Sequence, residues 1–322
     1  MSKKLKIWLI VAASLMVVGG IIFVGVMTML DWDFSKLSTK KLITNSHTVT
    51  EDFTSISVST NTAEVVFVPS GGDTCTVVCN EYENELHSVT VADGTLKIEL
   101  QDLRKWYQYI GINFGTPKIT VHIPQGEYGA LTVKSSTGSV TVPQGFTFES
   151  IDITESTGSI ECRASSKGTV KLEASTGSIN VDGISAGDIK LITSTGGITV
   201  TNVTVECDVR LTVSTGKAAL ANVTCQNFAS DGSTGDVSLK NVIASVTLTV
   251  ERSTGDVELD GCDAKELFIT TDTGDVEGTL LSDKVFIVQT DTGDIDVPKT
   301  TVGGRCEITT DTGDVEIKVK NK

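Results

Sequence analysis

Histidine is nearly absent. There are three in 322 residues, His47, His87 and His122, with no His pair at metal-ligand spacing. That leaves little for imidazole catalysis or for a His-rich metal centre. No phosphate-binding glycine loop or Cys-x-x-Cys occurs, so the usual marks of an NTPase or a thiol oxidoreductase are missing. Positive charge is also short: 26 Lys+Arg, three of them within the first six residues, against 41 Asp+Glu, a formal net charge of −15. This balance argues against nucleic acid or anionic lipid as a partner and favours cations, cationic polymers or plain solubility.

The seven cysteines are an odd number and cannot all pair. Cys75 and Cys79, four residues apart on one strand, stand about 13 Å apart and cannot bridge. Cys162, Cys262 and Cys306 fall at apolar positions and read as small buried hydrophobes. Cys207–Cys225 is a pair that an inter-coil disulfide could join.

What the chain has in abundance is one tripeptide, Ser-Thr-Gly or Asp-Thr-Gly. It occurs ten times, with glycine at 138, 158, 177, 196, 216, 235, 255, 274, 293 and 313. A beat of 19 or 20 residues is a repeat architecture. Counted from each glycine, positions −7, −5, +2 and +4 are apolar with few exceptions, and the residues between are polar. Period-two alternation on both sides of the glycine gives two short strands per repeat with one apolar face. The glycine supplies the turn. A second corner at +6 holds Gly183, Asn202, Asn222, Asn241 and Gly261, and a shorter third edge follows. One such coil cannot bury its face alone, whereas stacked coils can. The fold expected is all-β, a parallel β-solenoid of about ten coils over residues 131–322.

Ahead of it, residues 1–6 carry Lys3, Lys4 and Lys6, and residues 7–30 carry no charge. A run of this length suits a membrane span. Lysines before it place the N-terminus in the cytoplasm and the rest of the chain outside. A cleaved signal is the other reading, but no small-x-small cleavage site follows. Trp32 and Phe34 fit an interfacial belt. Residues 31–50 read as a juxtamembrane linker. Residues 51–130 read as a β-rich cap, with strands near 53–59, 63–68, 74–79, 87–92, 95–100 and 117–123 and a turn at Asp93-Gly94. Ser59-Thr60-Asn61-Thr62 reads as a degenerate repeat turn. The lysines of the last strand, 314–320, would blunt an open edge.

Two groups stand out as candidate sites. Within residues 101–116, Trp106, Tyr107, Tyr109 and Phe114 crowd together in a chain only 5% aromatic. They form a partner contact, a plug over the solenoid end or a membrane contact. Asp occupies −2 in the last three repeats (Asp272, Asp291, Asp311), and the +1 residues beside them are Asp275, Asp294 and Asp314. Stacking brings these carboxylates within about 5 Å of one another. They either hold Ca²⁺ as oxygen ligands or cap their own turns in water. Asp-Thr-Gly is also the aspartic-protease tripeptide. Here it shares its column with Ser-Thr-Gly, so a turn role covers all ten copies. Arg163, Arg210, Arg252 and Arg305 fall in different columns, and no face gathers an acid–base set.

The segment Phe53–Val65, the stretch Gly94–Ile98 and the repeated Ser-Thr-Gly-Asp-Val behind an N-terminal anchor resemble the bacterial putative-adhesin domain family, whose function is unknown. The resemblance covers roughly 45–322. It implies a surface β-solenoid of a kind common in Gram-positive bacteria, supplies no catalytic residues, and links some members with envelope-stress systems. The function expected is a non-enzymatic, membrane-anchored adhesion or scaffolding module meeting a surface protein or glycan. An accessory role in an envelope-stress sensor is the alternative, and a carbohydrate-active β-helix enzyme comes third.

Overall fold

The structure is a computed structural model, which describes residues 2–33, 36, 41–104 and 115–320. Among the described residues one helix, Lys3–Met29, is long and apolar enough to cross a membrane. Ser2 caps it by accepting the Leu5 amide. Its 27 residues span about 40 Å at 1.5 Å per residue, enough for a bilayer core. Trp32 folds back so that its amide meets the Met27 carbonyl at 2.8 Å. Phe34 lies outside the described residues.

Beyond the helix the chain is a β-solenoid of about ten turns. The alternation that marks each repeat becomes two ladders. Thr169–Thr176 pairs in parallel with Asp188–Thr195, Val170 beside Ile189 and Leu172 beside Leu191. Past the corner, Ile179–Asp182 pairs with Ile198–Val205, Ile179 beside Ile198 and Val181 beside Val200. Equivalent residues stack on one another, so an apolar column in the sequence is a continuous apolar wall inside. The third edge also pairs, as Ser185 with Thr204.

Both corners need special backbone, for different reasons. The repeat glycines have φ between +124° and +153°, and a Cβ on Gly216 would collide with the Gly196 carbonyl below it. The +6 corner is left-handed but open. Gly183 has φ +68° with nothing near its missing side chain, and Asn202, Asn222 and Asn241 adopt φ of 51–57° there. Asparagine tolerates this region and gains by stacking: Asn222 Nδ2 donates to Asn202 Oδ1 at 2.9 Å, and Asn241 Nδ2 to Asn222 Oδ1 at 3.1 Å.

At both ends the coils are out of chain order. Gly304–Thr312 lies between Val257–Thr273 and Lys284–Thr292. The Gly313 coil is therefore inserted between the Gly274 coil and the Gly293 coil. The strand Val315–Val319 is open only in part: it pairs along its length with Val276–Leu280, and on its other side Ile295–Asp296 covers Val315 and Glu316, leaving the edge at 317–319. The outermost layer is the Gly293 coil, and its interior residues show it. Phe286, Val288 and Val297 are only partly buried and Ile295 is 48% exposed, where their counterparts in neighbouring coils are buried. At the other end, Ser55–Ser59 lies between Thr95–Asp102 and Gly126–Thr137. The Ser59–Thr62 turn does stack as a repeat turn, Asn61 accepting the Thr137 amide at 2.8 Å.

The N-terminal end is closed by antiparallel strands. Cys75–Tyr82 runs against Lys118–Pro124. Leu42–Val49 then runs against Cys75–Tyr82, so part of the stretch expected as linker is a cap strand. On the other face Glu85–Ala92 and Thr95–Asp102 form a hairpin through Asp93 and Gly94.

Candidate functional site

The feature that the repeat builds most completely is the corner before each glycine. Position −1 is threonine in all ten repeats, Thr137 to Thr312, and position −2 is serine in seven and aspartate in three. Every one of these side chains is exposed. Parallel register puts Thr157 between Thr137 and Thr176 and continues layer by layer. The result is a straight ridge of hydroxyls with a step of about 4.8 Å, ending in carboxylates. Asp272, Asp291 and Asp311 are the ridge residues of the three last coils.

Asp275, Asp294 and Asp314 sit just behind the ridge, and the structure gives them a task. Asp256 Oδ1 accepts the amide of Asp275 at 2.9 Å, Asp275 Oδ1 that of Asp314 at 2.8 Å, and Asp314 Oδ1 that of Asp294 at 2.7 Å. Asp236 begins the row by accepting from Asp256 at 3.3 Å. Each of these four accepting carboxylates ties its coil to the next through a charge-assisted hydrogen bond, which offsets the like-charge repulsion along the row, and Asp294 joins through its amide alone. The aromatic cluster Trp106, Tyr107, Tyr109 and Phe114 lies outside the described residues.

Glu155 and Arg252 place ionisable groups in the apolar interior of the coils. Glu155 is fully buried; one of its oxygens takes the Thr157 amide at 3.2 Å and the other has no partner among the described residues. Burial raises its carboxyl above the ordinary range. Arg252 is buried over Gly232, with Nη2 donating to Ser230 Oγ at 2.8 Å and Nη1 to the Glu251 carbonyl at 3.0 Å. Burial lowers its guanidinium, Asp231 opposing in part. Ser230 departs from an otherwise apolar column because it receives this arginine.

A cleft of about 690 Å³ opens on the third edge at the C-terminal end, lined in part by Ala244, Asp263, Ser282, Lys284 and Val302. It lies where the chain steps over the inserted coil. Buried Lys284 donates to Asp263 Oδ1 at 2.6 Å and to Ser282 Oγ at 2.5 Å, and Ser282 Oγ donates to the same Asp263 oxygen at 2.8 Å. The ammonium is thereby committed to a carboxylate, and the trio fastens the crossover to the preceding coil.

The N-terminal cap hides a polar cluster that sequence reasoning missed. Cys79 and Glu81 point inward from one strand, and His87 reaches them from the next, around the turn at Glu83-Asn84. His87 Nδ1 lies 2.7 Å from Glu81 Oε2, and His87 Nε2 lies 2.9 Å from Thr60 Oγ1. The His87 amide also donates to Glu81 Oε2, and Asn45 Nδ2 donates to Glu81 Oε1, both at 2.7 Å. Hydroxyl, imidazole and carboxylate line up as in a nucleophilic triad. Thr60 is only 8% exposed, and its amide is given to the Lys134 carbonyl; the arrangement pins four separate segments together. All seven cysteines are free thiols, Cys207 and Cys225 included, and Cys207 alone is exposed.

The family model described as Toastrack DUF4097 matches residues 53–213 and 208–322. No curated protein matches the sequence. Among solved structures, a putative adhesin from Parabacteroides distasonis is 13% identical at a TM-score of 0.49, covering 87% of this chain and 98% of its own. A putative adhesin from Bacteroides fragilis is 14% identical at 0.45, covering 87% and 99%. A putative lipid binding protein from P. distasonis is 14% identical at 0.42, covering 85% and 97%.

Proposed function

The chain belongs to the Toastrack DUF4097 family, and on that footing we propose that it is a non-enzymatic, membrane-anchored surface module whose hydroxyl ridge adheres to an external polymer. The observation that carries this reading is the ridge itself, with threonine at −1 in all ten repeats and every copy exposed. The turn requires the glycine, but an exposed −1 side chain could be any small polar residue. Identical hydroxyls at a fixed step suit a ligand that repeats along its own length, since each weak contact then adds to the last. A linear polysaccharide or another hydroxyl-rich cell-surface polymer has that character.

The helix Lys3–Met29 supports anchoring. With three lysines before the span, the N-terminus is cytoplasmic and the solenoid extracellular. A ridge ending in carboxylates fits a neutral or cationic polymer better than an anionic one.

Capture on intact cells tests the proposal. The full chain in proteoliposomes is compared with the same chain lacking residues 101–116. Binding to surface glycan that survives the deletion is the expected result. Capture of one defined membrane protein that depends on 101–116 would replace adhesion by the envelope-sensor reading.

A further inference from the structure

We propose that Cys79, Glu81 and His87 form a binding site for a divalent cation of borderline softness, zinc being the natural occupant, which locks the N-terminal cap. One ligand atom from each of the three lies within 4.8 Å of the others, and all three residues are buried. Sulfur, imidazole nitrogen and carboxylate oxygen are the donor set zinc takes in proteins.

Charge is the first argument. Glu81 is 2% exposed and lies beside a buried thiol, and its hydrogen-bond donors are an amide side chain, a backbone N–H and an imidazole. A buried carboxylate without a full positive charge is costly, and the imidazole beside Glu81 supplies one only when it is protonated. A dication bound by one thiolate, one carboxylate and one neutral imidazole makes the cluster neutral. The surrounding shell is also in place. A metal-bound histidine characteristically gives its other ring N–H to an oxygen, and a ligating carboxylate is itself hydrogen-bonded. Thr60 Oγ1, 2.9 Å from His87 Nε2, and Asn45 Nδ2, 2.7 Å from Glu81 Oε1, already stand in those two places.

The cation takes the position between Nδ1 and Oε2, now 2.7 Å apart, which opens by roughly 0.6 Å to admit bonds of about 2.0–2.2 Å. Binding moves the imidazole proton from Nδ1 to Nε2, where it is donated to Thr60. It releases one proton to solvent, from the Cys79 thiol. Three protein donors leave one tetrahedral position for water. The cation joins the ligand-bearing strands Cys75–Tyr82 and Glu85–Ala92. Through Asn45 and Thr60 it also holds Leu42–Val49 and the repeat turn below.

The test uses the full chain in detergent micelles, titrated with Co²⁺ and then Zn²⁺. The expected result is one Co²⁺ per chain with a strong near-ultraviolet thiolate-to-metal band, displaced by Zn²⁺. That band survives Cys207→Ser and is lost in Cys79→Ser. Asn45→Leu, which removes only the hydrogen bond to Glu81, weakens zinc about 10–100-fold. A wild-type chain, folded by circular dichroism, that gives no thiolate band overturns the proposal without recourse to any variant. So does a band that persists in Cys79→Ser.

Discussion

Asp314 Oδ1 accepts the amide proton of Asp294 at 2.7 Å, reversing the direction seen along the rest of the row. From Asp236 to Asp314, each later residue donates to an earlier one; here the earlier residue donates to the later. The reversal records the insertion of the Gly313 coil beneath the Gly293 coil. A chain ending at residue 303 should therefore lose more than its last coil. Without the inserted layer, Lys284–Thr292 has nothing to pair with and Leu267 and Ile269 lose their cover. Hydrogen exchange should show residues 282–303 unprotected and protection weakened across 265–280. Full protection of 284–292 in the truncated chain would mean the coils can stack in chain order.

The same aspartate row predicts opposite effects for two substitutions at one position. Asp275→Asn keeps an oxygen to accept the Asp314 amide and removes one charge from a row of like charges. Its Tm should equal or exceed that of the wild type. Asp275→Ala removes the acceptor as well and should cost about 1 kcal/mol. Because four of the five +1 carboxylates, Asp236, Asp256, Asp275 and Asp314, are already tied to an amide, calcium should raise Tm no more than a monovalent salt of equal ionic strength. A specific calcium effect, abolished by Asp291→Asn with Asp294→Asn, would assign the ridge a cation.

The two corners should answer differently to alanine. At Gly216 the new Cβ meets a carbonyl in a backbone region side chains avoid, and the loss should be about 3–4 kcal/mol. At Gly183 only the left-handed φ is strained, costing about 1–2 kcal/mol. Gly183→Asn should be nearly neutral, since asparagine already holds that corner three times. Chemical denaturation of the three variants checks the order.

Glu155 gives the interior a pH dependence of definite sign. Its carboxyl is raised from 4.5 in the fold, chiefly by burial, with the nearby Ser135 hydroxyl and the Thr157 amide pulling the other way. The folded state then holds the proton more tightly than the unfolded state. This contribution to stability is complete below pH 4.5 and is lost as pH rises through the folded pKa. Glu155→Gln should be more stable than wild type at pH 7, with the advantage shrinking on acidification. An advantage that grows on acidification would have the sign wrong.

Cysteine reactivity separates the exposed thiol from the buried ones. Burial pushes Cys75, Cys162 and Cys262 up to about 11 and Cys79, Cys225 and Cys306 up to about 12. Alkylation of the native chain at pH 8 should label Cys207 alone, because the thiolate is the reactive form. Labelling of two or more residues in a folded sample would contradict the buried placement.

The coils were legible because what makes them is local. Apolar side chains at −7, −5, +2 and +4 and a glycine at a fixed place force two strands and a corner whatever lies above or below. Coil order was not legible, because the Gly293 and Gly313 repeats carry the same Asp-Thr-Gly-Asp signature and either could be outermost. What decides it is the return segment, where Gly303 and Gly304 pass so close to the carbonyls of Asp283 and Lys265 that a Cβ would collide. Nor was the cap cluster legible. Cys79 and Glu81 share a face at strand spacing, but Thr60 and Asn45 arrive from segments that only the tertiary fold brings near. Three scattered histidines looked inert for the same reason.

Adhesion of the full chain to a surface polysaccharide, with the ridge intact and with Thr195, Thr215 and Thr234 each changed to lysine, bears most directly on the proposed function. These side chains are exposed and lie on the outside of their corners, so the triple variant should fold with an unchanged circular dichroism spectrum. The triple variant should bind at least tenfold more weakly than wild type. Undiminished binding by a folded triple variant would contradict it.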